Sequence, residues 1–334
     1  MAYPRQASWL KRMERDMLGA SRMDEEREVA RLRSMWEATK YSMKAKIRDE
    51  YRRVFATGLW DLSRARSSGA LVRIRKHTSV CLNAFGASAA PFMAEHLNKA
   101  KKSRVMRLAW QLDVTTPAMV RPKVGGVRLR LKEANVTGSI HVYSGPEAEA
   151  SWVERFGEWL NAYDETLNRN ITLGALNNST PDDAAAEVDV TRTGNRSSDF
   201  WDKIDTIFRT ERQRAEAEGS VLFGDDNEDM LAEEIWTVFG DDRVCDECDA
   251  QEGVTREEST EEMPLHPNCR CYWRIVPKAW ADYLGTLDPE QGRALNARGI
   301  APDAMAIRDK STGKIQALSW IEFKDWQGNI VGSR

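Results

Sequence analysis

Four of the five cysteines of this 334-residue chain, and one of its four histidines, lie within one short window. Cys245 and Cys248 form a C-x-x-C pair in "VCDECDA", and "PLHPNCRC" follows with His266, Cys269 and Cys271. Thiolate sulfur and imidazole nitrogen are common zinc ligands, and a tight C-x-x-C turn brings two sulfurs to one ion. The window therefore predicts a zinc site.

The second half of this window leaves two ligand sets open. Residues two apart on a strand face the same side, so Cys269 and Cys271 would complete an all-cysteine site. His266 and Cys269 instead have H-x-x-C spacing, which would give a site of three cysteines and one histidine. Free thiols or a disulfide are the remaining interpretation. Four protein ligands leave no open position on the ion, so we expect a structural zinc and no catalytic metal.

Two predicted strands flank these residues. The first runs through Ile235, Trp236, Val238 and Phe239, directly before the C-x-x-C pair, and "YWRIV" after Cys271 predicts the second. A loop rich in glutamate lies between the two halves of the cluster. The sequence therefore places the cluster on a strand, a turn, an acidic loop and a second strand.

A helix over residues 199–218 precedes the strands, and Gly219 is expected to end it. Its predicted core face consists of Trp201, Ile204, Ile207 and Phe208. It also carries "RTE", which is Arg209, Thr210 and Glu211. Arg212 with Glu216, and Arg214 with Glu218, have the i,i+4 spacing of surface ion pairs. Arg209 is a candidate to brace the acidic loop of the cluster.

Residues 8–57 predict two helical segments. Gly19 is expected to interrupt them, and Ser21 with Asp24 predicts a capping box for the second. One apolar stripe follows the second segment in three- and four-residue steps: Val29, Leu32, Trp36, Met43, Ile47 and Val54. Such a stripe needs a partner. The alternatives are a helical hairpin with residues 70–110 and another subunit.

Helical patterns continue along the rest of the chain. Thr180 followed by Pro181 predicts a helix start, since threonine is a good N-cap and proline suits the first helical position. In the helical segment before Thr180, the spacing predicts one apolar face that contains Trp152, Phe156, Trp159, Leu160 and Tyr163. His77, His96 and Cys81 have no ligand-like spacing, so we expect packing or surface roles for them.

These patterns predict an α+β, mainly α-helical protein with four regions. Residues 1–112 form a basic helical region, and 113–146 form a linker or β-hairpin rich in proline and glycine. Residues 147–277 form a helical and β-hairpin module with the zinc-like Cys/His cluster, and 278–334 form a β-rich tail with alternating runs around "KSTG". His141, in the second region, is expected to be structural.

The net charge of −3 conceals a strong asymmetry along the chain. Residues 1–134 hold 29 Lys and Arg against 13 Asp and Glu, or +16, so residues 135–334 carry −19. A basic part of this size suits DNA phosphates or an acidic protein surface. The other interpretation is that these lysines and arginines only solvate long helices.

The sequence shows neither a signal peptide nor a membrane span. The first residues carry a charge every few positions, and no stretch approaches the roughly 18 apolar residues that a spanning helix needs. We therefore expect synthesis in a reducing cytoplasm, where paired cysteines more often hold a metal than form a disulfide.

The region around the cluster has a characteristic order of motifs: a helix with "RTE", a tryptophan-bearing strand, "DDRVCDEC", Gly253 and "PLHPNCRC". This order resembles the Mu F-like phage head morphogenesis family, which comprises the minor head (minor capsid) proteins of tailed bacteriophages. The resemblance covers about residues 150–277, and "HPNCRC" with the upstream C-x-x-C is its most specific part. Its motifs match Arg209, Thr210 and Glu211, together with Cys245, Cys248, His266, Cys269 and Cys271. It implies no catalytic residues.

The resemblance implies a low-copy protein inside the procapsid, associated with the portal vertex and needed for head assembly or for DNA packaging and delivery. The expected partners are the phage portal protein, then major capsid or scaffold protein, and packaged double-stranded DNA through residues 1–134, with no membrane. The expected location is the virion, and the expected role is binding rather than catalysis. The alternative is a zinc-containing DNA-binding protein or nuclease, although no second histidine and asparagine for a catalytic metal are evident.

Overall fold

The computed structural model describes residues 8–55, 62–115, 152–177, 179–191, 200–239, 244–277, 307–308 and 315–316. The helices of this part are α1 (Ser8–Phe55), α2 (Leu62–Ser67), α3 (Ala70–Thr115), α4 (Trp152–Leu176), α5 (Pro181–Val190), α6 (Phe200–Asp226) and α7 (Asp246–Asp249). The strands are β1 (Leu231–Thr237), β2 (Tyr272–Pro277), β3 (Ile307–Arg308) and β4 (Ile315–Gln316). The prediction of a mainly helical protein with a small antiparallel sheet and a Cys/His cluster is confirmed.

The chain divides into two compact units, each assembled from separate segments. Unit 1 comprises Met1–Glu25, Leu97–Val136 and Arg212–Arg334, and unit 2 comprises Glu26–His96 and Thr137–Glu211. Three of the borders fall inside helices α1, α3 and α6. Each of these helices therefore contributes residues to both units.

The core of unit 2 is built on the predicted apolar stripe of α1. All of its members are buried: Val29, Leu32, Trp36, Met43, Ile47 and Val54. Three aromatic rings surround Trp36. Its ring centroid lies 5.2 Å from that of Phe85 on α3, 5.3 Å from that of Tyr163 on α4 and 4.7 Å from that of Phe200 on α6. Helices of the same unit cover the stripe, so the hypothesis that it docks on another subunit is wrong.

Helix α5 begins as predicted. Thr180 is the N-cap, Pro181 occupies the first helical position, and Thr180 and Asp183 form a reciprocal capping box. The hydroxyl of Tyr163 on α4 donates to the backbone oxygen of Val188, at 2.6 Å. These contacts fix α5 against α4, since the cap sets where the helix begins and the tyrosine holds its other end.

A buried carboxylate joins α1 to α3 in unit 2. The side chain of Glu50 is fully buried and pairs with Arg73 at 2.8 Å, Lys46 at 2.9 Å and Arg53 at 3.3 Å. Burial by itself would raise the pKa of Glu50, but the hydrogen bonds from Arg73 and Lys46 lower it to about 2. The ionised carboxylate is therefore part of the folded unit.

Helix α1 continues through Gly19, where the sequence predicts an interruption. Ser21 is buried, and its hydroxyl donates to the carboxylate of Glu216 on α6 and lies 3.3 Å from Nη2 of Arg212. The predicted break and the capping box at Ser21 with Asp24 are wrong. A glycine in a helix interior costs only about 1 kcal/mol, which a long helix with a buried face tolerates.

Helix α6 also continues past the glycine that was expected to end it, and extends to Asp226. A Cβ placed on Gly219 would lie 2.7 Å from the backbone oxygen of Lys101 on α3. Glycine at this position permits the close approach of two helix backbones in unit 1. The predicted end at Gly219 is wrong because the residue serves packing rather than termination. The predicted core face, from Trp201 to Phe208, is confirmed as buried.

The arginine of "RTE" forms two ion pairs within unit 2. Arg209 pairs with Asp205 one turn earlier at 2.9 Å and with Glu26 on α1 at 2.7 Å. The expected contact of Arg209 with the acidic loop of the cluster stays a prediction. In unit 1, the predicted i,i+4 pair of Arg212 and Glu216 is present at 3.6 Å.

Several sequence predictions fall on parts of the chain that the structure does not describe. Helix α3 extends to Thr115, and the rest of the predicted linker or hairpin, with His141, lies outside the described residues. In the tail, Ile307–Arg308 pairs antiparallel with Ile315–Gln316 on either side of "KSTG", as predicted for a hairpin, and the other residues of 278–334 lie outside the description. None of the described helices has an apolar stretch long enough to cross a membrane.

Candidate metal centre

Strands β1 and β2 of unit 1 form the base of the cluster. They pair antiparallel, with Trp236 opposite Trp273 and Thr237 opposite Tyr272. The two indole rings meet edge to face, with centroids 5.1 Å apart. Strand β1 covers Leu231–Thr237, so it begins earlier than predicted, and Val238 and Phe239 lie beyond its end. The chain therefore leaves the sheet just before the C-x-x-C pair.

The loop after the C-x-x-C pair returns to the free edge of β1. The backbone nitrogen of Trp236 donates to the oxygen of Val254 at 2.8 Å, and that of Gly253 donates to the oxygen of Trp236 at 2.9 Å. Gly253 has a φ of +90°, in the region that favours glycine. The nitrogen of Arg256 donates to the oxygen of Glu234 at 2.8 Å. Strand β1 is thus held on both edges.

Two tight turns present the candidate ligands. Cys245 is the N-cap of the one-turn helix α7, and its sulfur accepts from the backbone nitrogen of Cys248 at 3.4 Å. In the second turn, the nitrogen of Cys269 donates to the oxygen of His266 at 3.1 Å. Asn268 between them has a φ of 60°, which asparagine tolerates better than most residues. The two turns thus bring the side chains of Cys245 and Cys248, and those of His266 and Cys269, close to one another.

All five predicted residues lie close together. They form two overlapping groups whose ligand atoms lie within 4.8 Å of one another: Cys245, Cys248 and His266; and Cys248, Cys269 and Cys271. Nε2 of His266 is 3.1 Å from Sγ of Cys245 and 2.9 Å from Sγ of Cys248. The sulfurs of Cys248 and Cys269 are 3.7 Å apart. This part of the chain is therefore able to hold a metal ion.

The histidine tautomer suits metal binding. Nδ1 of His266 lies 2.9 Å from the backbone oxygen of Pro267. A carbonyl oxygen only accepts hydrogen bonds, so Nδ1 carries the proton. Nε2, which faces the two sulfurs, then has a free lone pair. An N–H bond to a backbone carbonyl is one of the ways in which a metal-binding histidine is oriented.

The distances fit a tetrahedral zinc ion with small adjustments. With Zn–S bonds of about 2.3 Å, two sulfurs on one ion lie about 3.8 Å apart, close to the 3.7 Å between Cys248 and Cys269. With Zn–N bonds of about 2.0 to 2.1 Å, sulfur and nitrogen lie about 3.6 Å apart. His266 is closer to its sulfurs than this, so nitrogen and sulfur would separate by about half an ångström on binding.

The ionisation of the thiols reflects their burial and their mutual hydrogen bonds. Burial raises the pKa of Cys248 to about 12. The thiol of Cys271 donates a hydrogen bond to the sulfur of Cys269, which lowers the pKa of Cys269 to about 5. The same hydrogen bond raises the pKa of Cys271, and burial raises it further. Among these three buried thiols, the protein alone thus favours the thiolate form of Cys269. A divalent cation would supply the charge that ionises the other ligands.

An apolar shell surrounds the sulfurs. Ala217, Trp236, Met263 and Trp273 pack with the cysteines in one buried cluster. Nε1 of Trp236 has no ordinary hydrogen-bond partner among the described residues, but it is near enough to Cys271 to favour the thiolate form of that residue. A buried N–H donor beside this sulfur would suit the alternative, all-cysteine ligand set, in which Cys271 binds the metal as a thiolate.

Two further residues support the sheet under the cluster. Gln213 on α6 donates its side-chain amide to the backbone oxygen of Cys271. Arg104 on α3 is buried and donates to Ser220 at 2.9 Å and to the backbone oxygen of Trp273 at 2.7 Å. Neither residue was predicted from the sequence, because its spacing to the cysteines carries no signal. Arg104 is a structural residue of the predicted basic region.

The remaining predicted packing residues lie in unit 2. Nε2 of His77 is 3.3 Å from Sγ of Cys81, one helical turn away, and 3.3 Å from the hydroxyl of Ser42. His96 pairs with the buried Glu28 at 2.8 Å. Both histidines are partly buried side chains with polar partners.

Comparison of the chain with protein-family models, with curated proteins and with solved structures found no match.

Proposed function

We propose that the Cys/His cluster is a structural zinc site and that the chain is a minor head protein of a tailed bacteriophage. It acts at the portal vertex inside the capsid, in head assembly and in DNA packaging or delivery, by binding and without turnover. The observation that carries the zinc assignment is the convergence of four cysteines and one histidine from two separate turns. The phage assignment rests on the resemblance of the cluster sequence to the Mu F-like family.

We assign the four ligands to Cys245, Cys248, His266 and Cys269. The tautomer of His266 supports this set, because its lone pair faces Cys245 and Cys248. Cys271 would remain beside the ion as a hydrogen-bond donor to Cys269. The zinc supplies a cross-link between the two turns, and four protein ligands leave no open position for a reacting water.

X-ray absorption at the zinc edge tests this ligand set on the purified full-length protein. We expect about one zinc per chain, bound by three sulfurs and one nitrogen. Cys271→Ser should keep the metal and this coordination. Four sulfurs in the wild-type spectrum would overturn the choice of His266, and a metal-free protein with intact thiols would overturn the site itself.

The proposed biological role is tested in the phage. Deletion of the gene should give heads that lack this protein and that fail in assembly, packaging or infection. In particles that form, the protein should co-purify with the portal protein. Particles that assemble, fill and infect normally without the gene would show that the role is wrong.

The alternative, a zinc-containing DNA-binding protein or nuclease, predicts a different result. A nuclease would nick supercoiled plasmid in the presence of Mg²⁺, whereas the proposed minor head protein would leave the plasmid intact. The assay therefore separates the two assignments. Nicking that is lost with a metal-ligand variant such as Cys248→Ser would favour the nuclease.

A further inference from the structure

Unit 2 contains an open cleft that is separate from the Cys/His cluster in sequence and in chemistry. The cleft has a volume of about 530 Å³, and residues of α2, α3 and α4 line it. Three arginines and one glutamate supply its charge: Arg66, Arg75, Arg169 and Glu165. Volumes of this size are common for binding sites, which span about 300 to 1,000 Å³.

The three arginines are available to a ligand. All are exposed, and within the described part of the chain none of their guanidinium groups has a hydrogen bond or an ion pair. Neighbouring arginines of the same unit differ in this respect. Arg48 pairs with Asp182 at 2.7 Å, and Arg73 pairs with Glu50 at 2.8 Å. The cleft thus holds a net positive charge that the described residues do not neutralise.

The cleft also exposes apolar surface. Val72 on α3 is 71% exposed and Leu173 on α4 is 48% exposed, and both line the cleft beside the arginines. Its polar side chains are already used, since Asn168 donates to the backbone oxygen of Asp164 at 2.7 Å and Thr172 donates to that of Asn168 at 2.8 Å. Recognition here is therefore left to cationic and apolar groups.

We propose that this cleft binds an acidic amphipathic segment of a partner protein. Glutamate and aspartate side chains would pair with the three arginines, and leucine-like side chains of the same segment would cover Val72 and Leu173. Charge complementarity of this kind selects partners and speeds association. The proposal stands independently of the zinc site and of the phage assignment.

A nucleic acid fits the cleft less well. Phosphates would use the arginines, but they would leave the exposed side chains of Val72 and Leu173 in water. A small anionic metabolite would need buried polar groups directed at it, and Asn168 and Thr172 are committed to their own helix. An amphipathic acidic segment uses both the charged and the apolar parts of the lining.

Fluorescence anisotropy with the full-length protein tests the proposal. The probe is a labelled synthetic helical peptide with leucines at i, i+3 and i+4 spacing and glutamates on the flanking positions. We expect binding that Arg75→Glu with Arg169→Glu weakens by at least about tenfold, which is about 1.4 kcal/mol. Val72→Ser should weaken it by a smaller factor. A scrambled peptide of the same composition should bind less well.

Matched variants separate the cleft from general charge. Arg52→Glu with Lys76→Glu makes the same change in net charge at exposed positions of α1 and α3 outside the cleft lining, and it should change the affinity less than about twofold. Val80→Ser replaces a valine that is 55% exposed on α3, outside the cleft lining, and should be neutral. Equal losses in the control variants, no peptide binding, or displacement of the peptide by duplex DNA would each overturn the proposal.

Discussion

Cys248 belongs to both groups of candidate ligands in the described part of the chain, so its replacement tests the metal centre most directly. We expect Cys248→Ser to lose the zinc and to melt at a lower temperature, because structural zinc contributes on the order of 10 kcal/mol to folding in small modules. Elemental analysis and thermal unfolding measure the two effects. Cys81→Ser, outside the cluster, should keep both properties. A Cys248→Ser protein with full zinc and wild-type melting would refute the site.

Glu50 predicts how the stability of unit 2 depends on pH. Its pKa in the folded protein, about 2, lies below the ordinary value of 4.5. The stabilisation is therefore complete above pH 4.5 and is lost as the pH falls toward 2. At about 1.4 kcal/mol per pKa unit, this stabilisation is at most about 3 to 4 kcal/mol, and it is smaller because Arg73 and Arg53 are partly exposed.

Urea unfolding at a series of pH values measures this contribution. Glu50→Gln should be less stable than wild type at pH 6, and the difference should shrink as the pH falls below 4.5. Glu37→Gln is the matched control on the same helix, since Glu37 is half exposed and pairs only locally with Lys40 in the described structure. A constant difference between wild type and Glu50→Gln across this range would contradict the role of the carboxylate.

At the scale of single residues, the sequence identified the candidate ligands but not their surroundings. Cys245, Cys248, His266, Cys269 and Cys271 were found because their short spacings restrict where the side chains lie. The indole of Trp236 and the amide of Gln213 could not be assigned to the site. Their positions depend on strand register and on the packing of α6, which sequence spacing does not specify.

Gly19 and Gly219 provide a matched pair of tests at the scale of helices. A Cβ on Gly19 meets no atom within 4 Å, so Gly19→Ala should stabilise the protein by about 1 kcal/mol through helix propensity. A Cβ on Gly219 would approach the backbone oxygen of Lys101 to 2.7 Å, so Gly219→Ala should destabilise it by about 1 to 3 kcal/mol. Denaturant unfolding measures both. Destabilisation by Gly19→Ala would contradict a continuous α1.

The helices were predicted well along their lengths and poorly at their ends. The apolar stripe of α1 and the core face of α6 follow directly from their periodicity, which depends only on local spacing. The breaks predicted at the two glycines did not occur. Whether a glycine ends a helix depends on what lies against it, and at Gly219 that is the backbone of another helix.

The asymmetry of charge along the sequence is partly cancelled within each unit. Lys44 and Arg48 of the basic part pair with Asp189 and Asp182 in unit 2. Lys101 pairs with Glu218 in unit 1 at 2.8 Å. The positive charge offered to a partner is therefore smaller than the +16 of residues 1–134.

A salt series tests whether the remaining charge binds DNA. If the full-length protein contacts packaged DNA, its affinity for a duplex should fall steeply between about 50 and 200 mM salt, because counterions are released from each neutralised phosphate. The slope of the logarithmic plot should correspond to far fewer than 16 contacts. Binding that does not respond to salt, or no binding at 50 mM, would contradict a role of residues 1–134 on DNA.

Cutting the chain at the border between its basic and acidic parts should destroy both units. A chain that ends at residue 134 lacks Tyr163 and Phe200, which surround Trp36 in unit 2. It also lacks Ser220 and Trp273, which pair with Arg104 in unit 1. We expect such a fragment to unfold without a cooperative transition by circular dichroism. A sharp, wild-type-like transition would show that the basic part folds alone.

The organisation of the whole molecule could not be predicted from the sequence. Unit borders usually fall in exposed linkers rich in proline, glycine and polar residues, and such a composition occurs in residues 113–146. Three of the observed borders instead lie within α1, α3 and α6. Nothing in the composition of a continuous helix marks the residue at which it passes from one unit to the other.

The passage of α1, α3 and α6 through both units has a consequence for the inheritance of the gene. Where each folding unit is one uninterrupted stretch of coding sequence, a single crossover transfers a whole unit. Here a crossover between residues 25 and 212 joins helices of different parentage within at least one unit. We therefore expect this gene to be exchanged among genomes as one block, with compensating changes along the three helices rather than mosaics of swapped segments.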